Sequence, residues 1–394
     1  MRLDIISNLR NSLLIVFGFA SLISCHGRLD EWNVPHFGKE NVRYTSIYAD
    51  TLLLDASMTS LVGQWHMADE KILFFDEHVV GAVEYSLTGE YVDHHISEGR
   101  GPDEMIEASW ISAYDDCLDQ YLIQDNGGRL NVFSSGCTRL WGTSRPWFTL
   151  FGSDIRGAQF WQELKNHPDP SIPEMYEYNF DCRRAYAEKG VFYFPIVSDH
   201  VSYNKYYTLS HSKGYFRDAF TIMAVMAEAD HLVPLMIGHY PPKYRNGRLA
   251  VFSDYDFFVS EGSIYVAFAA DERIYVYGAD GVLEYSFGIV EDGISGKYPG
   301  TNSFEKYEAR KRESKDACGH YDRLSFASGH VFRTCHTDDG QWLLLIYDMK
   351  SKDLVGRIPV NGPLDVLGYS NGKYYAYVGE DFKSDCFRLI SFSL

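Results

Sequence analysis

The chain carries little positive charge for its size. Its 394 residues include 36 Lys and Arg against 54 Asp and Glu, which gives a formal net charge of -18. Nucleic-acid binding needs a basic surface that neutralises phosphates, so this balance argues against a nucleic-acid partner. It also argues against electrostatic adsorption to anionic lipid. The simplest interpretation of the acidic excess is a surface that keeps the protein soluble.

The sequence also lacks the short motifs that carry common chemistries. It contains no Gly-x-Ser-x-Gly elbow, no His-Glu-x-x-His pair, no phosphate-binding glycine loop and no Ca²⁺-loop spacing. The run Asp93-His94-His95 offers metal-ligand types, but adjacent side chains of a strand point to opposite faces. We therefore expect no metal and no cofactor, and spacing alone assigns no catalytic residue.

No segment reaches the roughly 20 apolar residues that a membrane-spanning helix needs. The apolar run 13–23 follows a charged start and has the length of a signal-peptide core. It ends in Leu22-Ile23-Ser24-Cys25, which resembles the bacterial lipobox, a signal whose Cys is acylated and becomes the mature N-terminus. We predict a signal peptide over residues 1–24, lipidation of Cys25, and a flexible tether over 25–41. The alternative is an uncleaved anchor with an incidental Cys.

These signals predict an outer-membrane lipoprotein in the cell envelope of a Gram-negative bacterium. Its contact with the membrane would be the N-terminal lipid. The side of the membrane stays open.

Aromatic residues are abundant, with 29 Tyr and 25 Phe. Flat rings pack well on pleated strands, and the 33 Gly can supply turns, so the composition predicts an all-β fold. The length fits one large repeat domain.

One pattern recurs along the chain: a strand, a tight polar turn and a second strand. Asn371-Gly372 and Glu261-Gly262 are clear examples, since two-residue hairpin turns need positive φ. A third strand follows each hairpin, and most units add a Gly-bearing turn and a fourth strand, which is typical of a β-propeller. The second strands begin near residues 72, 121, 191, 264, 331 and 374, which predicts six blades. Seven blades or a large sandwich is the alternative.

The sixth unit ends at Leu394 after its third strand. The unassigned β segment 43–55 can supply the missing fourth strand. We therefore predict a six-bladed β-propeller over residues 42–394, closed non-covalently by an N-terminal strand, with no exposed edge between the first and last blades. We expect a monomer.

The segment Gly99-Arg100-Gly101-Pro102-Asp103-Glu104-Met105 follows the fourth strand of blade 1. It resembles the Gly-x-Gly-Pro-x-Glu-Phe motif of TolB-like six-bladed propeller lipoproteins of the Bacteroidetes type, with Met105 where Phe is usual. The resemblance implies a cell-envelope propeller, and TolB-like propellers more generally resemble protein-binding modules. The residues alone predict a sharp crossing between blades, in which Asp103 and Glu104 cap nearby N–H groups. A ligand contact by Arg100 or Glu104 is the alternative.

Six cysteines remain besides Cys25, and an exported protein lies in an oxidising compartment. Cys318 precedes the first strand of blade 5 and Cys335 ends its second. Antiparallel neighbours bring these positions to the same end, so we predict a disulfide between them. The pairing of the others stays open, namely of Cys117, Cys137, Cys182 and Cys386.

Three connections are long in the predicted propeller: 144–175, 221–250 and 289–319. Connections from a fourth strand to the next first strand share one face with those between second and third strands. Long connections in a compact domain are usually functional, so we predict a ligand site over the central channel on this face. The predicted contacts are amphipathic aromatic and basic side chains: Arg100, Trp147, His200, Tyr203, Tyr240, Tyr244 and Arg245. The alternative is that these connections bury their aromatics against one another.

Two functions fit such a site. The first is a non-catalytic binding propeller for a glycan or an envelope protein, because Tyr and Trp with Arg and Lys suit sugar stacking and protein hot spots. The second is a hydrolase or lyase acting on polysaccharide at the central channel, which requires paired carboxylates, or a Tyr or His base beside an Arg. We favour binding, since no spacing selects catalytic residues.

Replacing Cys25 with Ala should abolish lipid attachment and leave an unprocessed precursor, because acylation of the thiol precedes cleavage at a lipobox. Fatty-acid labelling and membrane fractionation measure both effects. Ser24→Ala is the matched control and should leave both unchanged. Labelling and processing that survive Cys25→Ala would contradict the prediction.

Overall fold

The fold is a six-bladed β-propeller, as predicted. It is seen in a computed structural model that describes residues 31–394 apart from 69, 144–157, 180, 183, 201, 206–208, 228–231, 246–248, 300–303 and 382. Each blade is an antiparallel sheet whose first strand is innermost. Among the described residues, no helix is long and apolar enough to cross a bilayer.

The chain enters through three strands that are added to the last three blades. They are β1 (His36–Phe37), β2 (Glu40–Tyr44) and β3 (Tyr48–Asp55). The strands of blade 1 are β4 (Gly63–Ala68), β5 (Lys71–Asp76), β6 (Ala82–Ser86) and β7 (Tyr91–His95). Those of blade 2 are β8 (Ser109–Asp115), β9 (Gln120–Asp125), β10 (Leu130–Ser134) and β11 (Arg139–Gly142).

Blade 3 carries the largest departures from the repeat. A helix α1 (Ala158–Asn166) and a 3₁₀ turn (Pro173–Met175) precede it, and a helix α2 (Leu209–Asp218) interrupts it. Its strands are β12 (Glu177–Tyr178), β13 (Tyr186–Glu188), β14 (Val191–Val197), the small hairpin β15 (Asp199–His200) and β16 (Tyr203–Asn204), then β17 (Phe220–Ala227) and β18 (Leu232–His239).

Blades 4 to 6 follow the repeat closely. Two 3₁₀ turns (Pro242–Tyr244 and Ala250–Phe252) lead into blade 4, and a helix α3 (Phe304–Ala317) leads into blade 5. The strands of blade 4 are β19 (Tyr255–Ser260), β20 (Ser263–Phe268), β21 (Ile274–Tyr277) and β22 (Leu283–Phe287). Those of blade 5 are β23 (His320–Ala327), β24 (His330–His336), β25 (Trp342–Asp348) and β26 (Leu354–Val360), and those of blade 6 are β27 (Asp365–Ser370), β28 (Lys373–Asp381) and β29 (Cys386–Ser393).

The first hairpins of blades 3 to 6 turn as the sequence predicts. Each turn has two consecutive residues with positive φ, and the second is always Gly, which adopts that conformation without a steric cost. These pairs are Lys189-Gly190, Glu261-Gly262, Ser328-Gly329 and Asn371-Gly372.

The predicted closure of the ring is present. Strand β3 pairs antiparallel with β29, from Tyr48 opposite Ser393 to Asp55 opposite Cys386. Leu54 of β3 is fully buried and packs in one cluster with Phe74 of blade 1 and Phe387 of blade 6. The first and last blades are thus joined through the two ends of the chain.

The predicted tether over 25–41 is too long. Strand β1 pairs in parallel with β22 of blade 4, and β2 pairs in parallel with β26 of blade 5. Ahead of them, the ring of Trp32 meets that of Tyr275 edge-on at 5.1 Å between centroids. Residues from Trp32 onward therefore pack on the propeller, and the domain begins about ten residues before the predicted residue 42. The polar composition of this segment predicts a tether because it gives no sign of the backbone pairing at a sheet edge.

The predicted disulfide between Cys318 and Cys335 is wrong. All six described cysteines are free thiols. Cys335 lies opposite Tyr321 in the β23–β24 ladder and is fully buried, whereas Cys318 precedes the strand and its Sγ faces the Lys297 carbonyl. Three residues of offset along a strand amount to roughly 10 Å, beyond the reach of a disulfide.

The predicted loop 221–250 is also wrong. Strands β17 and β18 fill most of it, as the third and fourth strands of blade 3. The true insertion lies between the second and third strands and contains β15, β16 and α2. It leaves from the same face of the propeller as the predicted loop, so the prediction that one face carries the long connections is unaffected.

Replacing Leu54 with Ala should lower the free energy of unfolding by about 2–5 kcal/mol, because it leaves a cavity where β3 closes the ring. Chemical denaturation measures the change. The neighbouring Leu53 is 60% exposed on the same strand, so Leu53→Ala is the matched control and should stay within about 0.5 kcal/mol. Equal effects of the two substitutions would contradict closure by this strand.

Candidate functional site: the central channel

A channel of about 930 Å³ runs along the axis on which the six first strands converge. Every blade contributes to its wall. The inner-strand lining includes Gln64, Trp65, His66, Ser112, Tyr114, Arg184, Tyr186, Phe258, Val259, Arg323, Ser325, Asp365 and Leu367. The wall is thus a mixture of aromatic, hydroxyl and charged side chains.

The two halves of the channel differ at the face that carries the long connections. Over blades 1 and 6 the wall reaches the connecting residues themselves, 61–62 and 363–364. We call this the open side. Over blades 3 to 5 the same face carries α2, the two 3₁₀ turns before blade 4, and α3. We call this the roofed side.

A second cavity of about 190 Å³ lies on the roofed side. Lys315 of α3 lines it together with the first residues of the inner strands of blades 4 and 5. Arg323 lines both this cavity and the channel. Its side chain therefore stands at the boundary between the two.

An ion pair crosses the channel between blades 3 and 6. Arg184 Nη2 lies 2.7 Å from Asp365 Oδ1, and Arg184 Nη1 lies 3.4 Å from the Tyr186 hydroxyl and from the Leu324 carbonyl. Burial disfavours the charge on Arg184, but the Asp365 carboxylate outweighs it and raises the pKa of the guanidinium. The pair links distant blades through the axis of the ring.

Asp256 lies beside this pair, at the start of the first strand of blade 4. Its oxygens accept the backbone N–H groups of Phe257 and Leu324, each at 2.9 Å. Burial raises the pKa of Asp256 to about 6, and the neighbouring Arg184 only partly offsets it. With 8% of its surface exposed, this carboxyl serves to hold the inner strands of blades 4 and 5 together.

His66 marks the wall at blade 1. Its Nε2 lies 2.7 Å from the Ser112 hydroxyl, while Gln64 Oε1 accepts the Ser112 backbone N–H at 2.6 Å. Burial and the positive charge of Arg184 lower the pKa of His66 to about 3. The imidazole is therefore neutral at physiological pH and acts as a polar hydrogen-bonding group.

Aromatic side chains form the wall at the open side. The rings of Trp65 and Tyr377 stack at 5.6 Å between centroids, and the Tyr377 hydroxyl donates to the Glu380 carboxylate. The stack joins blades 1 and 6 next to the closure strand.

An ion-pair cluster holds the roof in place. Lys311 and Lys315 of α3 contact Asp181 and Asp254, and the buried Lys205 contacts both aspartates. The Lys311 Nζ to Asp181 Oδ1 distance is 2.6 Å. Burial favours the neutral form of each aspartate, but the lysines outweigh it and lower both pKa values, so the cluster stays charged at neutral pH.

The predicted ligand contacts do not lie where the sequence suggested. Tyr240 and Tyr244 are buried against Phe216 and Phe268, and the Tyr244 hydroxyl donates to the Phe252 carbonyl and accepts the Ala270 N–H, both at 2.9 Å. Tyr203 is 8% exposed, and its ring packs at a tilt against that of Tyr215, with 5.3 Å between the centroids. These amphipathic rings pack against one another because each connection must bury its apolar surface.

The remaining predicted contacts also lie off the channel wall. His200 accepts the Ser202 N–H in the β15–β16 hairpin, and Arg245 ends a 3₁₀ turn by donating its backbone N–H to the Pro242 carbonyl. Arg100 is exposed in the Gly-x-Gly-Pro segment. None of these six described residues lines the channel, and Trp147 lies outside the described residues.

The Gly-x-Gly-Pro segment is a structural crossing, and its capping prediction is confirmed. Glu104 accepts the Gly101 N–H at 2.5 Å, and Asp103 accepts the Arg139 N–H at 2.9 Å. A Cβ on Gly99 would lie 1.9 Å from the Glu104 carboxylate, so the close approach of that side chain requires Gly there. Met105 is buried between blades 1 and 2.

One group of potential metal ligands occurs in the described part of the chain, at Asp115, Asp116 and Cys117. The Asp115 carboxylate already accepts the backbone N–H groups of Cys117, Leu118 and Gly190. The group is a hairpin turn held to blade 3.

One comparison with a solved structure supports the fold. No family model matches the sequence, and no curated protein matches it. A member of the DUF4221 family from Bacteroides vulgatus superposes with a TM-score of 0.62 at 8% identity, over 89% of this chain and 99% of that one. A Bacteroides fragilis protein that is described as exported superposes with a TM-score of 0.49 at 13% identity, over 92% of this chain and 99% of that one. BamB from Moraxella catarrhalis superposes with a TM-score of 0.36 at 9% identity, over 84% of this chain and 85% of that one.

Replacing Lys315 with Gln should loosen the roof, because it removes a charged hydrogen bond to Asp254 worth about 1.5–3 kcal/mol. Hydrogen exchange in peptides covering α3 should accelerate at least tenfold, since a local opening free energy governs it.

Arg312 is exposed on the same helix, so Arg312→Gln is the matched control that removes an equal charge. It should leave exchange nearly unchanged. Equal acceleration by both substitutions would show that helix charge, and not the contact with Asp254, holds the roof.

Proposed function

We propose that the protein is a lipid-anchored propeller of the bacterial cell envelope that binds a glycan in its central channel without cleaving it. The observation that carries the proposal is the channel itself, a concavity of about 930 Å³ with polar and aromatic side chains from all six blades. Its volume lies near the top of the roughly 300–1,000 Å³ range of small-ligand sites.

A glycan suits this channel better than a protein surface. A stable protein interface buries about 800 Å² on each partner over a broad surface patch. The polar groups of this protein lie instead on the wall of a narrow channel. Sugars offer apolar ring faces and many hydroxyls. The channel offers the matching groups: the aromatic rings of Trp65 and Tyr377, the Glu380 carboxylate and neutral His66.

Binding is favoured over hydrolysis by the state of the channel carboxyls. Asp365 is paired with Arg184, and Glu380 accepts the Tyr377 hydroxyl. Asp256 lies beside the channel in the wall of the roofed cavity and has the raised pKa of a general acid, but backbone N–H groups occupy both of its oxygens. A glycosidase needs two carboxyls that face the scissile bond, one of them free to give up a proton.

The envelope location rests on sequence signals. The lipobox at Cys25 and the resemblance of the segment 99–105 to TolB-like propeller lipoproteins support it. An envelope protein as the partner is the runner-up, supported by that same resemblance.

Val259→Trp should weaken glycan binding, because Val259 lines the channel and the larger Trp side chain narrows it. A glycan array with neutral and acidic oligosaccharides identifies binders, and calorimetry should then show at least a tenfold weaker affinity for the variant. The melting temperature should stay within a few degrees, because Val259 is only partly buried.

Val282 is 56% exposed on the outer part of the same blade, so Val282→Trp is the matched control and should bind as the unaltered protein does. Mass spectrometry of each bound oligosaccharide should find it uncleaved. Shortened products would favour the hydrolase or lyase alternative, and an array without binders, or equal binding by both variants, would refute the proposal.

A further inference from the structure

The charged groups of the channel wall differ in how they are partnered. Among the described residues that line it, the Asp, Glu, Lys and Arg side chains are Asp116, Arg184, Arg323, Asp365 and Glu380. Arg184 and Asp365 pair with each other, Glu380 accepts the Tyr377 hydroxyl, and Asp116 is exposed at a hairpin turn on the opposite end. Arg323 is the remaining charge.

Arg323 has only distant neighbours of opposite charge. Its Nε lies 3.9 Å from Asp322 Oδ1 and 4.0 Å from Asp365 Oδ2. Among the described contacts its guanidinium makes no hydrogen bond, although it has five N–H donors. Arg333 on the next strand shows the contrast, since its guanidinium donates to the carbonyls of Phe268, Asp271 and Glu272 at 2.7–3.0 Å.

The backbone places Arg323 there by a local irregularity. In the β23–β24 ladder the register shifts between Tyr321 and Leu324, which lie opposite Cys335 and Arg333. Asp322 and Arg323 therefore face one residue, Thr334, whose hydroxyl accepts the Arg323 backbone N–H at 3.1 Å. Such bulges re-aim a side chain and are common beside functional sites.

Arg323 lies where the inner end of a ligand that enters from the open side would come to rest. Its side chain is 35% exposed at the boundary of the channel and the roofed cavity. The Asp365 carboxylate favours the charged form and raises the pKa of Arg323, which stays cationic at every physiological pH. A planar fork of N–H donors fits a carboxylate with two parallel hydrogen bonds.

Building on the proposed function, we propose that the bound glycan is acidic and that Arg323 binds its carboxylate. The ligand class is then an oligosaccharide that contains uronic acid. The Arg184–Asp365 pair leaves the Arg323 donors to the ligand, because Asp365 is already engaged at 2.7 Å by the other arginine.

The test compares oligomers of galacturonate, glucuronate and mannuronate with their methyl esters, which keep the sugar ring and remove the charge. The unaltered protein should bind at least one acidic oligomer at least about tenfold more tightly than its methyl ester. Added NaCl should weaken binding of the acidic oligomer and leave binding of the ester unchanged. Arg323→Gln should weaken binding of that acid about tenfold to a hundredfold and leave the ester unchanged. Arg323→Lys should retain part of the preference.

Arg388 is exposed on the outer part of blade 6, so Arg388→Gln is the matched control with the same loss of charge. It should keep the preference, and melting curves identify any variant that fails to fold. Equal affinity for acid and ester, or a preference that survives Arg323→Gln in a folded variant, would overturn the role of Arg323. In that case, binding of neutral glycans that Val259→Trp weakens would leave the proposed function standing. The absence of any glycan binding would overturn both the proposed function and the role of Arg323.

Discussion

The pairing of β3 with β29 is the contact on which the rest of the architecture depends. A propeller is a ring of sheets whose cores lie between neighbouring blades, so each blade needs a neighbour on both sides. At the join between blades 6 and 1, the buried cluster contains Leu54 from the N-terminal strand beside Phe74 and Phe387. Without that strand, blade 6 would expose an unpaired edge and blade 1 would lose part of its packing surface. Because the ring defines the axis, the channel depends on the same contact.

The ring also explains why the channel has a roofed and an open side. Repeating blades give equal openings at both faces, and only inserted chain can distinguish one half from the other. The insertions around blades 3 to 5 bury their own aromatics, such as Tyr240 and Tyr244, and so form a second layer over the ring. Lys311 and Lys315 fix α3 onto that layer through Asp181 and Asp254. In the part of the chain that the structure describes, blades 1 and 6 carry no such insertion, so the described access to the channel is on their side.

The sequence predicts features that are decided locally. The hairpin turns at Glu261-Gly262 and Asn371-Gly372 are readable because positive φ selects the residue type, and the closure follows from counting strands to Leu394. Features set by distant packing were missed. The sequence predicts a loop at strand β17 because the buried run of this strand shows no alternation of apolar and polar residues. The offset that separates Cys318 from Cys335 depends on the strand register, which no local sequence pattern reveals. The candidate site was missed for a related reason. The predicted contacts are aromatic and basic residues of long connections, whereas Asp256, Arg323 and Asp365 each come just before the apolar part of an inner strand. A charge repeated at that position was the available signal.

A charge at that position also needs a physical reason. The blades are held together by the packing of their sheet faces, so residues that face the axis are not needed for the core. Apolar or small residues there would avoid the desolvation cost of buried ions, and a buried ion pair is weak support for stability. The Arg184–Asp365 pair limits that cost by mutual contact at 2.7 Å, whereas Arg323 lies 4.0 Å from the same carboxylate and makes no side-chain hydrogen bond among the described contacts. A cation that makes no side-chain hydrogen bond among the described contacts and faces a cavity of ligand size is best explained by a ligand that supplies those hydrogen bonds.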